Sequence, residues 1–508
     1  MNHPEPIRRP NTPCSQALLR AGLAACLLTA AAPLHAATTP ITDSGTATSL
    51  AAYSGAPSTA RGLKVDKPPR HPFMAKNGRS NVHNDPWMTD TYWGRGPTGT
   101  SPVTLSTALG RDCISIAFDK RGNIVTACSN LSTRVLYLID ATTLGVVSQV
   151  DLPFVAPPAG QDPFTNSSGG VYFYLDNQDR VVIGAADGRI LVYSVEQKGP
   201  PFVFEGDYDL SATLAGDRIT SVLPDWQGRV WFVSRYTGIV GVLDLESGAV
   251  ASITLGEEIE NSFAVDTDGV YIVSDTSMYR LAAGDGNVPT IVWSEQYQNS
   301  GLVKTGQFNA GSGTTPTLMN GGFVAITDNA DPMNVVVYRR DATLAPGQDR
   351  VVCEVPVFGA GASATENSLV AAGDSLIVEN NYGYYLLSTL GGPVTTPGIS
   401  RVDVNPDGSG CQVVWTSAER APSCVPKVST KSGLVYLYTK DPDPVNTTSD
   451  AWFWTALDFR TGATVWKRLA GVGVNFNNHY SGIALSPKKP ATAYAGAVGG
   501  IVAVRDGD

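Results

Sequence analysis

Two copies of the tripeptide Glu-Asn-Ser, at residues 260–262 and 366–368, are the groups in this sequence best suited to chemistry. Each copy directly precedes an apolar run typical of a β-strand, so the two copies share one register. A third polar group, at residues 477–480, precedes a later strand in the same way. Carboxyl groups can transfer protons, and an imidazole can act as a general base near neutral pH. The candidate catalytic residues are therefore Glu260, Glu366 and His479.

The same groups also offer hard oxygen ligands of the kind that Ca²⁺ prefers, with the loose geometry that this ion tolerates. The candidate metal ligands are Glu260, Asn261, Glu366 and Asn367. Other polar residues stand at comparable strand starts and could contact an organic ligand, and with the two asparagines they are Asn166, Arg218, Asn261, Asn367, Asn478 and Tyr480. In the alternative interpretation, these side chains cap strand ends and bond one another without a ligand.

The strands that must position these groups belong to a repeated β architecture. The clearest unit runs from Thr455 to Trp466, where an apolar strand ends at Asp458, Thr461-Gly462 makes a turn and a second strand follows. Turns of inner hairpins recur about every 40–60 residues, which is the spacing of four-stranded propeller blades. We predict an all-β fold, a single eight-bladed β-propeller over residues 103–508, with seven blades as the alternative count.

The ends of the propeller are expected to meet. The last cluster of strands stops at residues 500–505 and leaves its blade one strand short, and Val103 to Ala108 stands before the first full blade. Pairing of these two segments would close the ring and remove exposed sheet edges.

The pattern Ala456, Asp458, Thr461, Gly462 and Trp466 resembles the repeat of PQQ-type quinoprotein propellers. That superfamily contains both quinone-dependent dehydrogenases and cofactor-free scaffolds, so the resemblance implies a fold and leaves PQQ as an open possibility. The adjacent cysteine pair of many quinoprotein alcohol dehydrogenases is missing. In residue types alone, the Glu and Asn groups are similar to the central calcium site of propeller lactonases and arylesterases.

In a propeller, the innermost strands surround a central channel, so residues at the starts of these strands should converge at one mouth. We therefore expect Glu260, Glu366 and His479 to face one cavity. Residues 64–102 form an irregular, aromatic-rich arm that contains His83. If the arm crosses the channel, His83 contacts the ligand; if it packs on the outer rim, His83 is structural.

The N-terminus predicts export. Basic residues precede an apolar run at 21–32 and a small-residue cleavage site ending at Ala36, so residues 1–36 are interpreted as a secretory signal. Lipid attachment at Cys26 is the alternative. Residues 37–63 are rich in Ala, Thr, Ser and Gly, which predicts a flexible leader. The expected location is the periplasm or the cell exterior.

Composition excludes some partners. The chain has 36 basic and 46 acidic side chains and a net charge of −10, which argues against a nucleic-acid surface. No segment after the signal is long and apolar enough to span a bilayer.

The cysteine spacing predicts two disulfides. Cys113 and Cys128 flank a turn almost symmetrically and should face each other across a hairpin, and Cys411 and Cys424 could pair in the same way. Cys353 would be left over. The alternative is that some of these cysteines are buried free thiols.

Together these observations predict an exported propeller that binds, and acts on, a small organic ligand as a metal-assisted hydrolase or an oxidoreductase. The alternative is a non-catalytic scaffold that binds a protein partner in the cell envelope.

Overall fold

The computed structural model describes residues 38–156, 169–196 and 201–507. Within them, antiparallel sheets form the eight blades of a β-propeller, which confirms the predicted fold class and the higher blade count. The predicted signal segment and Asn166 lie outside the described residues. No helix in the part of the chain described here is long and apolar enough to cross a membrane.

Three short strands precede the blades in the chain, and they are β1 (Tyr53–Gly55), β2 (Thr91–Tyr92) and β3 (Val103–Ala108). Blade 1 is formed by β4 (Asp112–Phe118), β5 (Ile124–Ser129), β6 (Arg134–Ile139) and β7 (Val146–Leu152). Blade 2 is formed by β8 (Phe173–Leu175), β9 (Arg180–Gly184), β10 (Arg189–Val195) and β11 (Phe202–Asp209). Blade 3 is formed by β12 (Ile219–Pro224), β13 (Val230–Ser234), β14 (Ile239–Leu243) and β15 (Val250–Thr254).

Blade 4 is formed by β16 (Ala264–Asp266), β17 (Gly269–Val273), β18 (Ser277–Ala283) and β19 (Pro289–Gln296). Blade 5 is formed by β20 (Thr317–Met319), β21 (Phe323–Thr327), β22 (Asn334–Arg339) and β23 (Val351–Pro356). Blade 6 is formed by β24 (Val370–Ala372), β25 (Ser375–Glu379), β26 (Ile399–Val404) and β27 (Cys411–Ser417).

Blade 7 is formed by β28 (Lys427–Ser429), β29 (Leu434–Lys440), β30 (Ala451–Asp458) and β31 (Thr464–Val472). Blade 8 contains β32 (Ala484–Leu485), β33 (Thr492–Ala497) and β34 (Gly500–Arg505). Short helical turns connect blades at α1 (Ser211–Leu214) and at the 3₁₀ turn Val474–Phe476, and two more 3₁₀ turns, Asp285–Asn287 and Leu386–Thr389, join strands within blades 4 and 6.

Burial along each blade explains why these sequences form strands. The second and third strands are almost wholly buried, as in β13 and β14, because neighbouring blades cover both faces. The outermost strands β7 and β15 alternate between half-buried and exposed residues, which is the period of two expected when one face points to solvent. The core therefore lies between the blades.

The ring is closed as predicted. Strand β3 pairs antiparallel with β34, from Val103 opposite Arg505 to Ala108 opposite Gly500, and supplies the outermost strand of blade 8. Because the first blade strand of the chain joins its last one, the ring has no open seam at this point.

Residues 38–63, expected to form a flexible leader, contact the outermost strand of blade 8 through Thr39 and Ile41 and the outermost strand of blade 7 through β1. Strand β1 pairs with β31, and the side chains of Thr48 and Ser49 donate hydrogen bonds to Asp443. Gly55 fits there because its φ is 94° and a Cβ atom would stand 2.1 Å from the Val465 carbonyl oxygen. The sequence lacks hydrophobic periodicity, but an exposed strand edge offers backbone hydrogen bonds that composition does not reveal.

The N-terminal arm crosses the channel. Carbonyl groups between residues 79 and 92 accept hydrogen bonds from innermost-strand amides, namely those of Phe118, Leu175, Val265, Leu318, Ala371 and Val428. These amides belong to blades 1, 2, 4, 5, 6 and 7. Those of Phe118 and Leu175 are at the last residue of their strands, and the other four are at the middle residue of three-residue strands, so all lie beyond the strand starts. Strand β2 also adds to β28 in parallel. The arm therefore forms a floor beneath the mouth where the candidate residues converge.

One of the two predicted disulfides is confirmed. Cys113 and Cys128 are bonded and face each other across β4 and β5, with Cα atoms 4.2 Å apart. The pairing of Cys411 with Cys424 is wrong, because Cys411 is bonded to Cys353 and Cys424 is a buried free thiol.

The position of each strand within its blade explains this correction. Cys353 and Cys411 lie on β23 and β27, the outermost strands of adjacent blades, whereas Cys424 precedes β28, an innermost strand. The residues between Cys411 and Cys424 run from the rim of one blade to the centre of the next, so they do not form a hairpin. The two disulfides are compatible with an extracellular location.

We predict that replacing both Cys353 and Cys411 with Ser lowers the free energy of unfolding by about 2–4 kcal/mol, because the bond closes a long loop of the unfolded chain. Chemical denaturation of the oxidised protein measures this. The matched control repeats the measurement on the double variant and the wild type after the disulfides of both proteins have been reduced. The difference in free energy of unfolding should then largely vanish. Peptide mapping that recovers Cys411 joined to Cys424 would contradict the pairing.

Candidate functional site

The channel encloses a cavity of about 50 Å³ between the floor and the mouth. The arm and the segments at the starts of innermost strands in most of the blades surround it, and the polar residues among them are His83, Tyr172, Glu260, Asn261, Glu366, Asn367, Ser368, His479 and Tyr480. The two Glu-Asn-Ser groups and His479 therefore face one space, as their shared register predicts. Their catalytic and metal-binding roles stay predictions.

Glu260 and Glu366 form a buried carboxyl pair. Their carboxyl groups lie close enough for each to affect the pKa of the other. Burial raises the pKa of Glu260 to about 7, against the lowering effect of Arg235. Burial, together with the negative charge of Glu260, raises the pKa of Glu366 well above its ordinary value. Two neighbouring carboxyl groups that are buried in this way do not both ionise near neutral pH, so the pair holds a proton there.

The arginine beside this pair is Arg235. Its Nη2 atom lies 3.4 Å from Glu260 Oε1, and its Nη1 atom lies 3.2 Å from Glu258 Oε2. The predicted residue Arg218 does not line the cavity, because its Nη2 atom donates to the carbonyl of Ala156, 2.9 Å away. Arg235 follows β13, the second strand of its blade. It was not predicted because the candidate residues were taken only from the starts of innermost strands.

Glu379 is a second functional candidate that sequence reasoning missed. It ends β25, the second strand of blade 6, and its Oε1 atom accepts hydrogen bonds from the side-chain amides of Asn367 and Asn381. Burial raises the pKa of Glu379 to about 8. The signal in the sequence is its position directly before Asn380 and Asn381, at the strand end that returns to the same mouth.

His479 is oriented by a carboxylate. Its Nδ1 atom is paired with Asp112 Oδ2, and Asp112 begins β4 of blade 1, so the contact joins the last blade to the first. His479 and Tyr480 both have left-handed backbone conformations, with φ of 43° and 62°, which turn the loop sharply at this point. Donation from Nδ1–H to Asp112 leaves Nε2 as the acceptor atom of the neutral ring. Asp112 was not predicted, although it also stands at an innermost-strand start.

The two neighbours of His479 have different positions. Asn478 does not line the cavity, and its Nδ2 atom donates to the Gly496 carbonyl at 3.1 Å. The Tyr480 ring packs edge-on against Phe308 and Tyr384, with centroid distances of 4.6 Å and 5.1 Å. Tyr480 therefore forms part of the wall between the cavity and the space outside it.

That outer space is a pocket of about 430 Å³ in the mouth of the channel. His479, Tyr480 and Phe308 line both it and the inner cavity. Its other walls are mostly apolar or aromatic, and they include Val303, Tyr384, Tyr385, Leu386 and Leu387. A further pocket of about 290 Å³ lies beside Asp112, and His479 lines that one also. His479 thus stands where the buried polar cavity meets space large enough for an organic molecule.

A metal site is not evident from acidic, histidine and cysteine groups alone. Among residues 38–156, 169–196 and 201–507, no group of three or more such side chains is placed to hold an ion. Calcium binding would therefore have to combine the two carboxyl groups with amide oxygens of Asn261 and Asn367.

Comparisons with known proteins assign the chain to no family. No family model matches the chain. An uncharacterized protein of Archaeoglobus fulgidus is 26% identical over 410 residues, which cover 74% of this chain and 78% of the relative. Among solved structures, Sqt1 from Chaetomium thermophilum has a TM-score of 0.46 at 14% identity and covers 78% of this chain and 97% of its own.

Two other solved structures are similar at the same level. A candidate 6-phosphogluconolactonase from Bacteroides fragilis has a TM-score of 0.40 at 8% identity, covering 72% of this chain and 98% of its own. Virginiamycin B lyase from Staphylococcus aureus has a TM-score of 0.37 at 9% identity, again covering 72% and 98%.

The carboxyl pair predicts a pH dependence of stability. The pKa of Glu260 is about 7 in the folded protein and 4.5 ordinarily, so the folded state holds protons that the unfolded chain releases between these values. The resulting stabilisation is fully present below about pH 4.5 and is lost as the pH rises through about 7. Glu366→Gln imitates the protonated acid. It should reduce the slope of the free energy of unfolding against pH by up to about 1.4 kcal/mol per pH unit.

Thermal or urea denaturation between pH 5 and 8, in the presence of a chelator, measures the two slopes. Glu246→Gln is the matched control, because Glu246 is exposed in an outer turn and should keep the wild-type slope. An unchanged slope in Glu366→Gln would mean that the pair is not protonated in the folded protein.

Proposed function

We propose that this propeller is an enzyme that acts on a small organic ligand by general acid–base catalysis at the mouth of its channel. The observation that carries the proposal is that a carboxylate-oriented imidazole, His479 with Asp112, and a proton-holding carboxyl pair face one cavity. Imidazole and carboxylic acid are complementary groups, since one accepts a proton while the other donates one.

The outer pocket would hold the body of the ligand. Its volume of about 430 Å³ suits a small organic molecule, and its apolar walls suit an aromatic or aliphatic group. The inner cavity of about 50 Å³ is too small for such a body but admits a polar end group or water. A ligand seated in this way presents its polar end to His479 Nε2.

The reaction class that these groups support best is hydrolysis of an ester or lactone. His479 Nε2 accepts a proton from water as the water oxygen attacks the carbonyl carbon. As the bond between the carbonyl carbon and the leaving oxygen breaks, the protonated carboxyl pair donates a proton to that oxygen. Asp112 holds the imidazole in the required tautomer and stabilises its cationic form. A proton then returns from His479 to the carboxyl pair through water.

Binding of PQQ fits the site poorly. PQQ carries several carboxylate groups, and the inner cavity presents two further carboxyl groups in about 50 Å³. A non-catalytic scaffold remains the competing proposal, and it would give the acid–base groups no role.

Export to the periplasm or the cell exterior is part of the proposal and is supported by the two disulfides.

Removing the proposed base should abolish hydrolysis. We predict that His479→Gln lowers kcat/KM for p-nitrophenyl butyrate or γ-nonanoic lactone by about 10²–10⁴, the usual contribution of a positioned general base. Asp112→Asn should lower kcat with little change in KM, because it disturbs the tautomer of the imidazole and leaves the outer pocket intact.

His71→Gln is the matched control, since His71 is buried in the arm against Trp226 and lies outside the cavity. Purified protein that hydrolyses none of p-nitrophenyl butyrate, γ-nonanoic lactone and the hydroxy ester methyl mandelate would refute the enzymatic proposal and favour the scaffold. A His479→Gln variant as active as His71→Gln would do the same.

Calcium is proposed as an alternative occupant of the same cavity, bound in place of the proton that the carboxyl pair otherwise holds. Glu260, Glu366 and the amide oxygens of Asn261 and Asn367 would hold it, and the bound ion would polarise a ligand oxygen. We predict that Ca²⁺ raises the melting temperature of the wild type at pH 8 and that a chelator reverses the change, whereas Glu366→Gln responds weakly. Isothermal titration calorimetry with Ca²⁺ alone provides the second measurement. An equal response of wild type and variant would place any calcium elsewhere.

A further inference from the structure

His83 is a buried imidazole brought into the channel by the N-terminal arm. Its side chain lines the inner cavity and is only 2% exposed. The Nδ1 atom lies 2.9 Å from Asp90 Oδ2, and the buried Lys427 contacts Asp90 as well. A carboxylate can only accept hydrogen bonds, so the imidazole donates its Nδ1–H to Asp90.

The other ring nitrogen points to a ligand. His83 Nε2 is buried and has no hydrogen-bond partner among the described residues. With the proton on Nδ1, Nε2 is an acceptor. Asn261 lines the same cavity, and its Nδ2 atom, a donor, is likewise buried and without a partner in the part of the chain described. Buried polar atoms in folded proteins are nearly always paired, so an acceptor and a donor facing one cavity require an occupant.

We propose that the inner cavity is a subsite for a hydroxyl oxygen, which donates its hydrogen bond to His83 Nε2. Water fills the subsite in the resting protein, since about 50 Å³ is room for one or more molecules. The ligand places its own hydroxyl group there when it binds. Asn261 Nδ2 supplies a donor for an oxygen in the same space.

This subsite defines a substrate class, and that step rests on the proposed function. His83 and His479 line one cavity of about 50 Å³, so the hydroxyl group and the carbonyl group that reacts at His479 must lie close together in the ligand. The substrate is therefore an α- or β-hydroxy ester or lactone with an apolar or aromatic body. A site built to bond a hydroxyl group rejects the analogue that lacks it, because the buried acceptor is then left unpaired.

Methyl mandelate and methyl phenylacetate differ only in the hydroxyl group and test this class. We expect wild-type kcat/KM to favour methyl mandelate by at least about 10²-fold. His83→Phe should abolish the preference, and His83→Gln, whose side-chain oxygen keeps an acceptor near the position of Nε2, should restore part of it. Equal rates for the two esters, or a preference that His83→Phe leaves unchanged, would overturn the inference.

Binding is measured separately from catalysis in His479→Gln protein. The chain has five histidines, of which His3 and His35 precede residue 37, so ¹⁵N-histidine labelling of the signal-free variant leaves only the rings of His71 and His83. Mandelate at 50 mM should shift the Nε2 resonance of His83 and leave that of His71 unchanged, whereas phenylacetate should shift neither.

A crystal of the same variant soaked in mandelate decides the occupant. We expect the mandelate hydroxyl oxygen within about 2.6–3.2 Å of His83 Nε2. Water alone at this position, or a cavity with no oxygen bonded to Nε2, would overturn the subsite. Mandelate bound at His83 in a protein that lacks hydrolytic activity would uphold the subsite and refute the proposed function, so the two failures are distinguishable.

Discussion

Ring closure is the constraint on which the other features of this protein depend. The pairing of β3 with β34 fixes the last blade against the first, and only then do His479 and Asp112 meet. The same closure sets the diameter of the channel and hence brings the carboxyl groups of Glu260 and Glu366 into contact. The geometry of the site is therefore a property of the whole ring, because no single blade contains an acid and a base together.

Much of the fold could be predicted from the sequence because propeller blades repeat. Turns such as those at Asp225 and Asp266 recur at nearly regular intervals, and their spacing gave the correct count of blades. The short run at Val103 was correctly assigned to the last blade because that blade lacked a strand. The pairing of Cys411 was missed because the sequence does not show where a chain segment lies along the radius of a blade.

The candidate site was predictable only in part, for a similar reason. Register placed Glu260, Glu366 and His479 correctly, since equivalent positions in a propeller are related by rotation about its axis. It could not reveal Arg235 or Glu379, which arrive at the same mouth from the ends of second strands. In an antiparallel blade the first strand starts where the second one ends, so a search for site residues has to include both positions.

The floor formed by the arm has a consequence for how the protein acquires its structure. Asp90 contacts Lys427 across a sequence separation of 337 residues, and the arm is synthesised before any blade that it touches. The blades must therefore assemble around a segment that has no folded partner of its own at the start. Contacts between residues so far apart in the sequence form late in folding and at a large cost in chain entropy. We therefore expect the protein to fold slowly. Once the ring has closed, the arm can leave only by giving up its hydrogen bonds to six of the blades.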